Sequence, residues 1–88
     1  MPTISTFFGI DICMYKEAGG KHKMPHIHAY YQEYEGVFSF DGKMIEGDIP
    51  GKQRRLVKRW IGQYRSALHK NWTSYNSGGP ISKIPPLQ

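Results

Sequence analysis

The sequence predicts an α+β fold, an antiparallel β-meander of about four strands packed on one amphipathic C-terminal helix. Three observations predict it. Apolar and polar residues alternate with period two through Ile10–Tyr15, Pro25–Tyr31 and Tyr34–Phe40. Short turn segments, Gln32-Glu33 and Asp41-Gly42, separate the later runs. Beyond Pro50, the residues Leu56, Val57, Trp60, Ile61, Tyr64, Ala67 and Leu68 recur at helical spacing and fill an arc of roughly 140°. The 88 residues make one small domain, 1–88, with strands within 3–47, a helix over about 50–72 and an extended tail over 77–88.

Taken in order, Thr3–Phe8 is β-branched and aromatic and reads as a first short strand that Gly9 breaks. In the next strand Ile10, Ile12 and Met14 share one face and Asp11, Cys13 and Tyr15 the other. A loop follows, with Gly19-Gly20 and the basic cluster Lys21-His22-Lys23. Pro25 opens the central strand, where its missing N–H does little harm.

A two-residue loop at Gln32-Glu33 sets Tyr31 opposite Tyr34, Ala29 opposite Gly36 and Ile27 opposite Phe38. On the other face it sets Tyr30 against Glu35, His28 against Val37 and His26 against Ser39. Gln-Glu is poor chemistry for such a turn, which prefers Asn or Gly. Asp41-Gly42 is a stronger turn and pairs Phe40 with Lys43, Phe38 with Ile45 and Val37 with Glu46. One sheet face then holds Ile27, Ala29, Phe38, Phe40 and Ile45 and is the core. The other holds His26, His28, Tyr30, Glu35, Val37, Ser39, Met44 and Glu46 and is the place to look for function. The helix should cover the first face and leave the second open.

A formal charge of +5, from 12 Lys and Arg against 7 Asp and Glu, favours acidic partners such as RNA or an acidic protein. The helix side opposite the apolar arc carries Arg54, Arg55, Lys58, Arg59, Arg65, His69 and Lys70. Arg54, Lys58, Arg65 and Lys70 are the candidate nucleic-acid contacts, against the plainer reading of a solvated helix face. The single cysteine, Cys13, excludes an intrachain disulfide and reads as a small half-buried residue. No apolar run reaches the roughly 18–20 residues of a membrane span, and no secretory signal layout opens the chain. A cytoplasmic protein with no membrane contact is the expectation.

His26 and His28 project from one strand face, about 6.5–7 Å apart. Such a pair suits acid–base chemistry, a metal ion or a half-buried interface. For metal, the third-ligand candidates His22, Glu35, Glu46 and Asp11 lack diagnostic spacing, and no cysteine pair exists, so no metal or other cofactor is expected. For acid–base work, His26 and His28 would act as base and acid, with Tyr30, Tyr15 and Glu46 or Glu35 assisting and cations holding a phosphate. That is the outline of metal-independent RNA cleavage. Whether the protein is an enzyme stays open at this level.

Several segments resemble the DUF4160 family. They are Met1-Pro2-Thr3-Ile4-Ser5 with Phe8-Gly9-Ile10, Met14-Tyr15, Pro25-His26-Ile27-His28-Ala29 and Tyr34-Glu35-Gly36-Val37-Phe38. Further on are Ile45-Glu46-Gly47 before Ile49-Pro50, Arg55-Leu56-Val57, Trp60, Asn71-Trp72, and Lys83-Ile84 with Leu87. The resemblance covers nearly the whole chain, and Pro-His-x-His-Ala is its most specific part. It implies a small stand-alone bacterial protein of unknown function, often encoded beside another small domain. From that follows a toxin–antitoxin-like module that binds RNA or a protein partner encoded nearby. The alternatives are a non-enzymatic interaction module, its His/Tyr face serving a partner or a homodimer, and a metal-binding domain. The chain departs from the family at Gln32-Glu33, where glycines are usual, and at Tyr64, where a helix histidine is common.

Overall fold

The computed structural model describes residues 2–16 and 24–88. The Gly19-Gly20 loop and the Lys21-His22-Lys23 cluster lie outside the described residues. Among those described, five strands and two helices follow in the order β1 (Thr3–Phe7), β2 (Ile10–Cys13), β3 (His26–Tyr31), β4 (Tyr34–Ser39), β5 (Met44–Asp48), α1 (Gly51–Gln63) and α2 (Arg65–Asn76). The strands form one antiparallel sheet in sequence order. The fold is therefore the expected α+β meander, with one more strand and one more helix.

The β3–β4 register is the expected one throughout, from Tyr31 opposite Tyr34 to His26 opposite Ser39. Gln32 meets the turn by adopting a left-handed backbone, φ 53°. A positive φ at the first loop position belongs to the primed turns that fit the twist of a two-residue hairpin. Between β1 and β2, Phe8 (φ 49°) and Gly9 (φ 75°) are both left-handed, as a type I′ loop requires. Gly9 is thus half of the tight turn that ends β1.

The β4–β5 hairpin departs from expectation. Ser39 N–H donates to the Lys43 carbonyl, so the loop is three residues, Phe40-Asp41-Gly42, with Gly42 left-handed at φ 92°. The ladder then slips by one residue: Val37 opposes Glu46 as expected, but Phe38 opposes Met44. A one-residue slip exchanges faces. Met44, not Ile45, therefore stands opposite Phe38 and packs against the core.

Ile10, Ile12, Met14, Ile27, Ala29 and Phe38 form the apolar sheet face, and Val57, Trp60, Ile61 and Leu68 close over it from the helices. Trp60 is fully buried, and its indole N–H donates to the Pro85 carbonyl at 2.9 Å, which offsets the cost of burying a polar atom. The tail carries Ile84 into the same core, its N–H donating to the Ile4 carbonyl at 2.8 Å. Asn71 holds the tail from the other side, with its amide donating to the Ser82 carbonyl and accepting from the Ser82 N–H.

The expected single helix is broken at Tyr64 (φ −122°, ψ 27°). The break keeps Leu68 in the core and brings Trp72 against Phe40 and His26.

Candidate functional site

Below the core lies the second sheet face, and the register orders it into rungs. One rung runs Thr3, Cys13, His28, Val37, Glu46; the next runs Thr6, Asp11, Tyr30, Glu35, Asp48. A third pairs His26 with Ser39. The face thus carries both strand histidines with Asp11, Glu35, Glu46 and Asp48.

His26 is not open to solvent. It is 1% exposed, and its ring lies 5.2 Å from that of Trp72 and 5.3 Å from that of His28. Its Nδ1 is 2.9 Å from the Met24 carbonyl oxygen. A carbonyl only accepts, so that nitrogen carries a proton. The expectation that the helix leaves this face open is corrected here: α2, bent back at Tyr64, lays Trp72 over its first histidine. Tyr75, one turn further on, has the Lys16 ammonium 5.2 Å from its ring centre.

His28 is half-buried. Its Nδ1 lies 3.4 Å from Glu35 Oε2, its Nε2 is buried, and the Tyr15 ring meets it edge-on at 4.7 Å. Tyr15 and Tyr30 share a 2.7 Å hydroxyl–hydroxyl bond. Burial raises the Tyr15 phenol well above its ordinary range, and the bond to Tyr30 adds to this. Burial also raises Tyr30. Both phenols therefore keep their protons near neutral pH and can donate hydrogen bonds but not take protons. Glu46 sits beyond Val37, two strands from His28, beside a shallow 210 Å³ pocket lined by Glu35, Val37, Glu46 and Gly47.

The structure therefore brings together His26, His28, Tyr30 and Tyr15, and sets Glu46 apart; Glu35 is the carboxylate in contact. The candidate phosphate contacts lie elsewhere. On α1, which packs Val57, Trp60 and Ile61 onto the core, Arg54, Arg55, Lys58 and Arg59 are exposed, and the Lys58 stem lies along the β4–β5 loop, where a Cβ on Gly42 would stand 2.9 Å from it. Arg54 is partly engaged at home, bonded to the Ile49 carbonyl at 3.0 Å with Asp48 at 3.7 Å. Arg65 donates to the Phe40 carbonyl at 2.6 Å, tying α2 to the β4–β5 loop. It borders a 290 Å³ pocket with Met24, Pro25, Ser39, Asp41 and His69. In that loop Asp41 accepts from the Ser39 hydroxyl, which holds its carboxyl below the usual range. Lys70 is exposed on α2. Among the described residues, no three His, Cys, Asp or Glu side chains converge as a metal site, and no helix is long and apolar enough to cross a membrane.

One signal in the sequence separates the two layers more sharply than the helix periodicity does. Residues 1–48 carry four lysines and all seven acids, net −3; residues 49–88 carry eight Lys and Arg and no acid, net +8. Folding turns that asymmetry into a sheet layer that holds the six described acids and a helix layer with cations but no acid. Seven of the cations lie between 51 and 76, including Lys52, which helix-face reasoning passed over. In α1, Lys52, Arg54 and Arg55 crowd the N-terminal turns, and no acid stands in the first turn. Cations there oppose the helix dipole, at a cost of about 0.3–1 kcal/mol each near the end.

The family model described as "Domain of unknown function (DUF4160)" matches residues 9–73, most of the 88-residue chain. The chain belongs to that family. No curated protein and no solved structure matches it.

Proposed function

We propose that this protein is a non-catalytic RNA-binding module whose contact surface is the basic helix layer. The single observation that carries this reading is the acid-free layer itself. An ordinary solvated helix face mixes signs and gains from i,i+4 ion pairs. Here seven cations stand without an acid among them, and three of them, Lys52, Arg54 and Arg55, also face an adverse dipole, an arrangement that suits a polyanion. Arg55, Lys58, Arg59 and Lys70 are its principal contacts. Arg54 and Arg65 mainly tie the helices to the sheet and contribute less.

A short labelled RNA tests this at low salt, followed by anisotropy. The wild-type protein should bind and weaken steeply as salt rises, and R55E/K58E/R59E should lose binding while staying folded. Unchanged binding in that variant removes the reading. Equal affinity for polyglutamate would transfer it to an acidic protein partner. The toxin–antitoxin-like setting belongs to the same proposal, and expression with and without a neighbouring partner, scored by growth, tests it.

Metal-independent cleavage at His26 and His28 is the second reading. The His28–Glu35 contact beside Tyr15 and Tyr30 favours it. Against it stands the burial of His26. RNA cut by the wild type and left intact by His28→Ala would promote this reading over the first.

A further inference from the structure

The tip of the β1–β2 hairpin presents an oddity that the helix layer does not explain. Phe8 is 68% exposed and left-handed at φ 49°. A bulky residue in that region carries strain of order 1–3 kcal/mol. An exposed aromatic ring adds nothing to the core. Asn or Gly at the same position would remove the strain, and both are what a type I′ turn prefers. The chain thus holds a large ring out in solvent at a conformational cost.

The ring's setting matches its exposure. A Cβ on Gly9 would lie 3.7 Å from the Tyr31 ring, so the loop tip rests on a half-buried side chain. Phe7, the preceding residue, packs its ring 5.6 Å from that of Trp60 on α1. Arg59 adjoins Trp60 in α1, and Lys52, seven residues earlier, shares its flank at 3.6 residues per turn. An exposed aromatic ring therefore stands one residue from the contact between β1 and α1, the helix that carries five of the cations. Bases stack on aromatic side chains while backbone phosphates track cations, and this combination serves single strands, whose base faces are free.

We propose that Phe8 is a stacking platform for one unpaired base, and that the α1 cations hold phosphates of the same strand, so the ligand is single-stranded RNA. This rests on the RNA-binding reading of the helix layer and adds the strand state and the base contact.

The test compares wild type and Phe8→Asn on oligouridine, a fully abasic oligomer and duplex RNA. Phe8→Asn should melt no lower than wild type, because it relieves the turn. It should bind oligouridine about tenfold more weakly, with the salt slope unchanged, since no phosphate contact is lost. Wild type should bind the abasic oligomer and the duplex no better than Phe8→Asn binds oligouridine. Undiminished oligouridine binding by Phe8→Asn, or wild-type preference for duplex, overturns the platform while leaving the helix layer's role standing. Absence of any RNA binding by wild type overturns both.

Discussion

Replacing Lys52 by Glu should raise stability and lower RNA affinity in one step. Lys52 is exposed at the second residue of α1, after Pro50 and Gly51, and no side chain caps that end. The helix terminus carries roughly half a positive charge, and one charge near it contributes about 0.3–1 kcal/mol. Lys52→Glu reverses the sign, so the change is about 0.6–2 kcal/mol. A new i,i+3 pair with Arg55 adds about 0.2–0.5 kcal/mol. For a domain of this size about 1 kcal/mol moves Tm by about 4–8 °C. The gain should shrink at high salt, because the site is solvated. In the binding assay the loss of one phosphate contact should flatten the slope of log K against log salt by about 0.7 for a single strand. Thermal melts at low and high salt, with anisotropy titrations over the same range, measure both quantities. A lower Tm at low salt would refute the dipole argument. A higher Tm with an unaltered slope would refute the assignment of this flank to RNA.

Three further outcomes are expected. Gly47 is left-handed at φ 87°, and a Cβ there would stand 2.2 Å from the Glu35 carbonyl oxygen, so Gly47→Ala should lower Tm severely and unpair β5 in hydrogen exchange. His26→Ala should cost about 2–4 kcal/mol through lost packing on Trp72 and an unpaired Met24 carbonyl, yet RNA affinity of the folded fraction should match wild type; a stable but non-binding variant would return the histidines to the functional surface. The Tyr15–Tyr30 pair is raised above the ordinary value of 10.0, so the folded state holds protons that the unfolded chain releases. Its stabilisation is complete below about pH 10 and lost above it, and Tyr15→Phe with Tyr30→Phe should flatten the alkaline fall in denaturant midpoint.

Much of the sheet was legible because alternation and loop length speak the same language. With two residues between Tyr31 and Tyr34, the whole β3–β4 ladder followed, although Gln32 had to enter the left-handed region to allow it. The β5 slip was not legible, because Met44 and Ile45 are both apolar and either can serve the core. The break at Tyr64 has no proline, and Tyr64 itself continues the apolar stripe. That break also decides the candidate site, since it carries Trp72 over His26, a contact between residues 46 apart in sequence. The pairing of Tyr15 with Tyr30 followed from neither periodicity nor spacing, for Tyr15 lies beyond the end of β2.

The strap formed by the tail also governs when the protein can finish itself. The Ile4 carbonyl is met by the Ile84 N–H, and the Pro85 carbonyl receives both the Ser5 hydroxyl and the Trp60 indole. β1 is therefore completed by residues some eighty positions later in the chain. A nascent chain emerging in order can pair β1 to β5 and begin α1, but it holds Trp60 without its acceptor until Pro85 has left the ribosome. Until then the basic layer lacks its final seating, so β1 and the helix layer are locked together only once the strap is in place.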